Sequence, residues 1–278
     1  MESTRSRAAA FFGAVGRAVC YLLAFIVTQA IATGLYLLAA TLYIRFNPGS
    51  FQSPDDLVYA CADQISILSG LFLLILLFAF FLLRRKNPLK ESGILATRGR
   101  FVFTAIAITP LLYAAILYLM SFLPEAWTSG YAEAASVYHQ TDVIMMVAVV
   151  LIAPIVEEIV FRGLILSRLR RALPGWLSVV ITALLFGACH AQIAWMLYAF
   201  VLGLFFGFVD LKAKSIWPSL CAHLLFNGIG QLAVYLPETD PATNLFYLGL
   251  LGAGAMMCVA VFLFRLICPL KRRTAAAT

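Results

Sequence analysis

Six side chains in this chain have types and spacings that could do chemistry. They are Glu157, Glu158 and Arg162 in "EEIVFR", His190 in "FGACH", and His223 and Asn227 in "HLLFN". A carboxylate and an imidazole that meet can hold a water molecule and take its proton. A second imidazole with an amide N–H can stabilise the oxyanion formed when that water attacks a carbonyl. The reaction class is amide hydrolysis without a covalent intermediate. The competing arrangement is a metal site, because Glu157, His190 and His223 make a two-His, one-carboxylate set with an open position, as in hydrolytic zinc sites. Cys189 and Cys221 do not extend that set. On regular helices they point about 100° from His190 and about 200° from His223, and both are expected in the core.

Helical spacing sorts the six. Glu158 and Arg162 are four apart, share a face and can neutralise each other. Glu157 points about 100° away from Glu158, so it is free while its neighbour is tied up. His223 and Asn227 are also four apart, as are Phe186 and His190. Each residue has a bland alternative. Glu158–Arg162 reads first as a structural pair, and a single membrane histidine or asparagine is often only an interhelical hydrogen-bonder. Phe186 reads as packing, His139 as a solvated loop histidine, and Asp63 as lying near an interface. What raises the set above these alternatives is convergence in a chain nearly empty of other polar groups at depth.

The elements that must position them are membrane spans. The chain has 278 residues, 63% hydrophobic and 12% charged, which places it among polytopic membrane proteins. Carboxylates near a bilayer centre cost roughly 2.5–3.5 kcal/mol each, so their presence asks for a function. Apolar runs predict about eight transmembrane helices near 18–44, 60–83, 101–123, 142–166, 175–194, 195–211, 215–235 and 244–268. The fold class is therefore all-α, a polytopic membrane helical bundle, with 1–278 forming a single integral membrane domain. "SPDD" at 53–56 looks like an N-cap. Pro110 should kink the third span, and Pro154 should break the fourth just before the glutamates. The six cysteines are apolar in context and predict no disulfide framework.

Basic residues fill alternate connections: Arg84, Arg85, Lys86, Lys90, Arg98 and Arg100, then Arg168, Arg170 and Arg171, then Lys212 and Lys214. The opposite loops hold mostly acids. By the positive-inside rule both termini are cytoplasmic. The net charge of +7 is then a topology signal, and no nucleic-acid partner is expected. The partners expected are the lipid bilayer and a peptide or lipidated protein substrate; the location is a multi-pass membrane protein, in the cell membrane if prokaryotic.

"EEIVFR" fits E-E-x-x-x-R, "FGACH" fits F-x-x-x-H, and "HLLFN" fits H-x-x-x-N. In this order they resemble the three motifs of the CAAX protease and bacteriocin-processing family (CPBP, also called Abi), which contains the type II CAAX prenyl endopeptidases. The resemblance covers about 142–235, a catalytic four-helix core. It implies a glutamate-dependent intramembrane endopeptidase in which Glu157 and His190 activate water and His223 and Asn227 form the oxyanion site. Glu158 and Arg162 would be the supporting pair. The mechanism requires no cofactor; the metalloprotease-like alternative puts a divalent metal such as zinc on Glu157, His190 and His223. The alternative function is a non-catalytic membrane immunity or scaffold protein of the same fold. A proton or ion carrier is the third, disfavoured because no internal repeat pairing is visible. Straight, upright helices leave Glu157 and His190 about 9 Å apart in depth, a gap that tilt or the Pro154 break must close.

Overall fold

A computed structural model of the chain describes residues 2–49, 53, 57, 60–130, 143–190 and 192–233. The expected span at 244–268, the "SPDD" cap, His139, Cys258 and Cys268 lie outside the described residues. Among the described residues the fold is all-α.

Helix α1 (Glu2–Phe46) begins well before residue 18, and its lipid-facing side carries exposed Leu23, Ile31, Leu35 and Leu38. Then come α2 (Ala62–Leu83), the one-turn α3 (Pro88–Glu91), α4 (Gly99–Met120) and α5 (Val143–Leu169). The bundle continues with α6 (Gly175–Ala188), α7 (Ile193–Ala213) and α8 (Trp217–Ala233). Five helices, α1, α2, α4, α5 and α7, are long and apolar enough to cross a membrane. The chain is a polytopic membrane bundle.

Helix α5 departs from the expectation of a proline break. It runs through Pro154 without interruption, with π-helical turns at Val147–Ile152 and Glu158–Leu166 on either side of an α-helical piece, Ala153–Glu157. A proline lacks the N–H and its ring crowds the preceding turn, and at Pro154 that turn is the π-helical one. Widening the preceding turn to the i→i+5 pattern accommodates both. The change of helix type falls between the two glutamates. Pro110 likewise sits inside the unbroken α4.

Helix α6 is shorter than the expected 175–194. It stops at Ala188, so His190 lies in the turn that follows it. The α6–α7 pair packs closely because α7 carries a G-x-x-x-G step. A Cβ on Gly203 would press on Ala183 of α6, and one on Gly207 would press on Val179. Such small-residue stripes let membrane helices approach backbone to backbone, where dispersion replaces the missing hydrophobic drive.

Two apolar clusters hold the bundle. One gathers Leu73, Leu77 and Phe81 of α2, Val160, Phe161 and Leu164 of α5, and Phe186 of α6. The other joins Leu112 and Ile116 of α4 with Phe205 and Phe206 of α7 and Phe226 of α8. Helices α1 and α2 are also joined by a polar contact, Ser69 Oγ donating to Gln29 Oε1 at 2.7 Å.

The connection 84–98 is stitched to the rest of the protein. Asn87 caps α3 by accepting from the Lys90 N–H, and Gly93 at φ +74° turns the chain back. Ile216 N–H then donates to Gly93 O, and Ser215 Oγ to Leu95 O. Ser92 meets α5 at Gly163, where any Cβ would collide with the Ser92 carbonyl.

Candidate functional site

Glu158 is fully buried on α5, and it is the hub of the polar cluster. Its Oε1 lies 3.1 Å from Arg162 Nη1 and 2.8 Å from His223 Nδ1. The expected i,i+4 pair is therefore present, and a histidine from α8 joins it. A carboxylate oxygen only accepts, so His223 Nδ1 carries the hydrogen and donates.

Arg162 is buried too, and its guanidinium is stacked between two rings. Its Cζ lies 4.3 Å from the centroid of Phe186 and 5.3 Å from that of Phe206. None of its nitrogens meets hydrogen-bond geometry, so the charge is held by the Glu158 carboxylate and by ring faces. Cation–π attraction of this kind strengthens when desolvated. Phe186, the aromatic of "FGACH", is thus a clamp on the arginine as well as packing.

Glu157 turns away from this hub, as expected. Its side chain keeps 20% exposure, against none for Glu158, and it faces a cavity of about 770 Å³. His223 Nε2 lies 3.8 Å from Glu157 Oε2. One imidazole therefore spans the two glutamates.

His190 reaches the same cavity from the turn after α6. Its Nδ1 lies 2.9 Å from the Phe186 carbonyl, which fixes the hydrogen on Nδ1 and leaves the Nε2 lone pair free. The ring packs edge-on against Phe186 at 5.1 Å and beside Trp195 at 5.3 Å. Asn227 also lines the cavity, and its Nδ2 donates to Val149 O, 2.9 Å away, in the first π-helical stretch of α5. One of its two amide hydrogens is spent there, and one remains.

All four residues assigned to the water and oxyanion sites thus line one cavity, with Glu158 and Arg162 behind them. Elsewhere the wall is mixed, with Phe25, Phe161, Trp195 and Phe226 beside the polar Gln29, Thr33, Ser66 and Gln231. Glu157, His190 and His223 do not form a ligand set as they stand. Among the described residues no group of three or more His, Cys, Asp or Glu is placed to hold a metal ion.

The reading from spacing missed several residues. Asp63, in the first turn of α2, is buried within the bundle. Cys189 is exposed and lines the cavity, and Cys221 is half-buried, so neither is a core thiol. Ideal helical angles do not apply to Cys189, which follows the end of α6, whereas Cys221 lies inside α8. Asp210 of α7 is a buried carboxylate that accepts from Ser219 N–H at 3.2 Å and Ser219 Oγ at 2.5 Å. Phe206 lies within the Gly203–Gly207 step of α7, which signals close packing and not a partner for a cation.

Comparison with known proteins places the same stretch of chain in context. Residues 139–229 match the family model described as type II CAAX prenyl endopeptidase Rce1-like, and the three motif segments fall inside that range. A Bacillus subtilis (strain 168) protein named "Putative membrane peptidase YdiL" is 29% identical over 101 residues, which is 36% of this chain and 40% of that protein. The chain thus matches less than half of that relative's length. No solved structure matches. The chain is a multi-pass integral membrane protein that, over residues 139–229, resembles the Rce1-like family of type II CAAX prenyl endopeptidases.

Proposed function

We propose that the chain is an intramembrane endopeptidase that hydrolyses a peptide bond of a membrane-associated or lipidated peptide or protein, with its basic end facing the cytoplasm. The observation that carries this reading is the convergence of Glu157, His190, His223 and Asn227 on one largely apolar cavity.

In this reading Glu157 and His190 Nε2 hold the attacking water. Glu157 is suited to the task because its neighbour Glu158, and not Glu157 itself, neutralises Arg162. The water oxygen forms a bond to the scissile carbonyl carbon while its proton passes to Glu157. The carbonyl electron pair moves onto oxygen, where the second N–H of Asn227 and a protonated His223 Nε2 donate to it. His223 is oriented for that role by its Nδ1–H donation to Glu158. When the C–N bond breaks, the proton held on Glu157 goes to the departing nitrogen, giving an acid and an amine. No step needs a metal.

The test compares membrane peptides from cells carrying the wild type and Glu157→Gln. The expected result is at least one processed peptide that disappears with the variant while protein level and membrane insertion are unchanged. An unchanged peptide profile would favour the non-catalytic immunity or scaffold role.

A further inference from the structure

The basic connections close around a second cavity, about 210 Å³, at the opposite side of the Glu158–Arg162 pair from the large one. Its floor is Arg162 and Gly163, and its walls bring together Arg168 at the end of α5, Arg170 and Arg171 just after it, Lys90 of α3 and Lys214 after α7. Two carboxylates also line it, and both are engaged. Glu91 pairs with Arg168 and with Lys86 at 3.8 Å. Asp210 is held by Ser219. Among the described residues Lys90, Arg170, Arg171 and Lys214 have no acidic partner.

One cation in this cleft is fixed in place. Arg168 is buried, bonds to Glu91 and to Ser167 Oγ at 3.0 Å, and rests over the Tyr21 ring at 5.7 Å. The other four are exposed at the rim. Concentrating like charges costs energy unless an anion answers them.

A second observation sets the height of the cleft in the membrane. Trp176 and Trp217 stand at the starts of α6 and α8, a few residues from Arg171 and Lys214, and are 60% and 42% exposed. Exposed tryptophans mark the water–lipid boundary. The cleft therefore lies at headgroup level, and basic pockets between membrane helices at that level suit phosphate-bearing headgroups.

We propose that this cleft is a binding site for a phosphate group, with Arg170, Arg171, Lys90 and Lys214 as the mobile ligands and Arg168 as the fixed wall. The phosphate can be carried by an anionic phospholipid of the surrounding leaflet or arrive as the free anion. The site is separate from the hydrolytic cavity and does not depend on its chemistry.

The test uses the full chain purified in mild detergent, mixed with equal phosphatidylglycerol and phosphatidylcholine and analysed by native mass spectrometry. The wild type should retain phosphatidylglycerol preferentially. Two variants on different elements, Arg170→Gln/Arg171→Gln and Lys214→Gln, should lose that preference by roughly fivefold per charge removed. Glu157→Gln should retain it in full, whatever its activity. Unfolding temperature measured with added inorganic phosphate separates the sources. A rise in the wild type that both variants lose, without lipid preference, assigns the free anion. Equal retention of the two lipids with no phosphate response overturns the proposal, as do folded variants that behave like the wild type.

Discussion

His223 Nδ1 lies 2.8 Å from Glu158 Oε1, and the other nitrogen of the same ring lies 3.8 Å from Glu157 Oε2. The two adjacent glutamates of α5 are therefore linked through one side chain of α8. One of them faces the cavity, and the other faces a buried arginine. That arrangement gives the adjacent acids different work although they differ by one position in sequence.

Removing the buried acid should cost more stability than activity analysis alone would suggest. In Glu158→Gln, Arg162 stays buried with no counter-charge, a loss of about 3–5 kcal/mol by analogy with broken buried pairs. Arg162→Met should be similarly destabilised. The double variant Glu158→Gln/Arg162→Met should be more stable than either single one, because no isolated charge remains. Thermal unfolding in detergent checks this; additive losses would show that the two do not act as a pair.

Phe206→Leu tests the second face of the arginine clamp. Phe206 is completely buried and sits 5.3 Å from the guanidinium. Losing the ring face should cost about 1–2 kcal/mol beyond the packing change. The conservative Phe206→Tyr keeps the face but adds a buried hydroxyl, so Phe206→Leu paired with Arg162→Met is the cleaner comparison. If Phe206→Leu loses as much stability in the Arg162→Met background as in the wild type, the ring contributes packing only.

Gly163→Ala should be poorly tolerated although alanine is the better helix former. The added methyl meets the Ser92 backbone, which cannot swing aside as a side chain can. Overpacking of this kind typically costs about 1–3 kcal/mol. Because the 84–98 connection is anchored to α5 and to the 213–216 turn, the shift should also raise protease sensitivity within 84–98. Limited proteolysis beside unfolding temperature measures both.

Chelator treatment of the purified active protein should leave its activity unchanged, and metal analysis should find no stoichiometric zinc. The basis is that, among the described residues, no group of three or more His, Cys, Asp or Glu converges to hold a metal ion. Loss of activity on chelation, restored by zinc, would sink the metal-free mechanism.

Local spacing made the Glu158–Arg162 pair readable, since residues four apart meet on a helix surface. It also made Glu157 readable as the freer acid. The three ordered motifs were enough to indicate one site. What spacing could not convey were departures from the ideal helix. Apolar periodicity is too coarse to mark π-turns, so α5 was expected to break at Pro154 where it widens. Nothing in "GACHAQ" is a strong stop signal, so the end of α6 at Ala188 was not visible either. That end also bears on the depth gap between Glu157 and His190, which applies only to a histidine inside a straight helix. Asp210 and Ser219 are nine apart and joined across the α7–α8 turn, a tertiary contact with no periodic signature. Phe206 owes its role to a partner on another helix and could not be singled out among so many phenylalanines.

The shortness of α6 has a consequence for how the reaction is supplied. Its fourteen residues reach about 21 Å, whereas the hydrocarbon of an ordinary bilayer is about 30 Å deep. A span shorter than the hydrocarbon can be met by local thinning of the bilayer. On the proposed reading, the histidine turn at the tip of α6 lies beneath such a thinned leaflet. Bulk solvent would then have only a short way to travel, and the proposed hydrolysis would draw its second reactant from a fold in the membrane surface and not across oil.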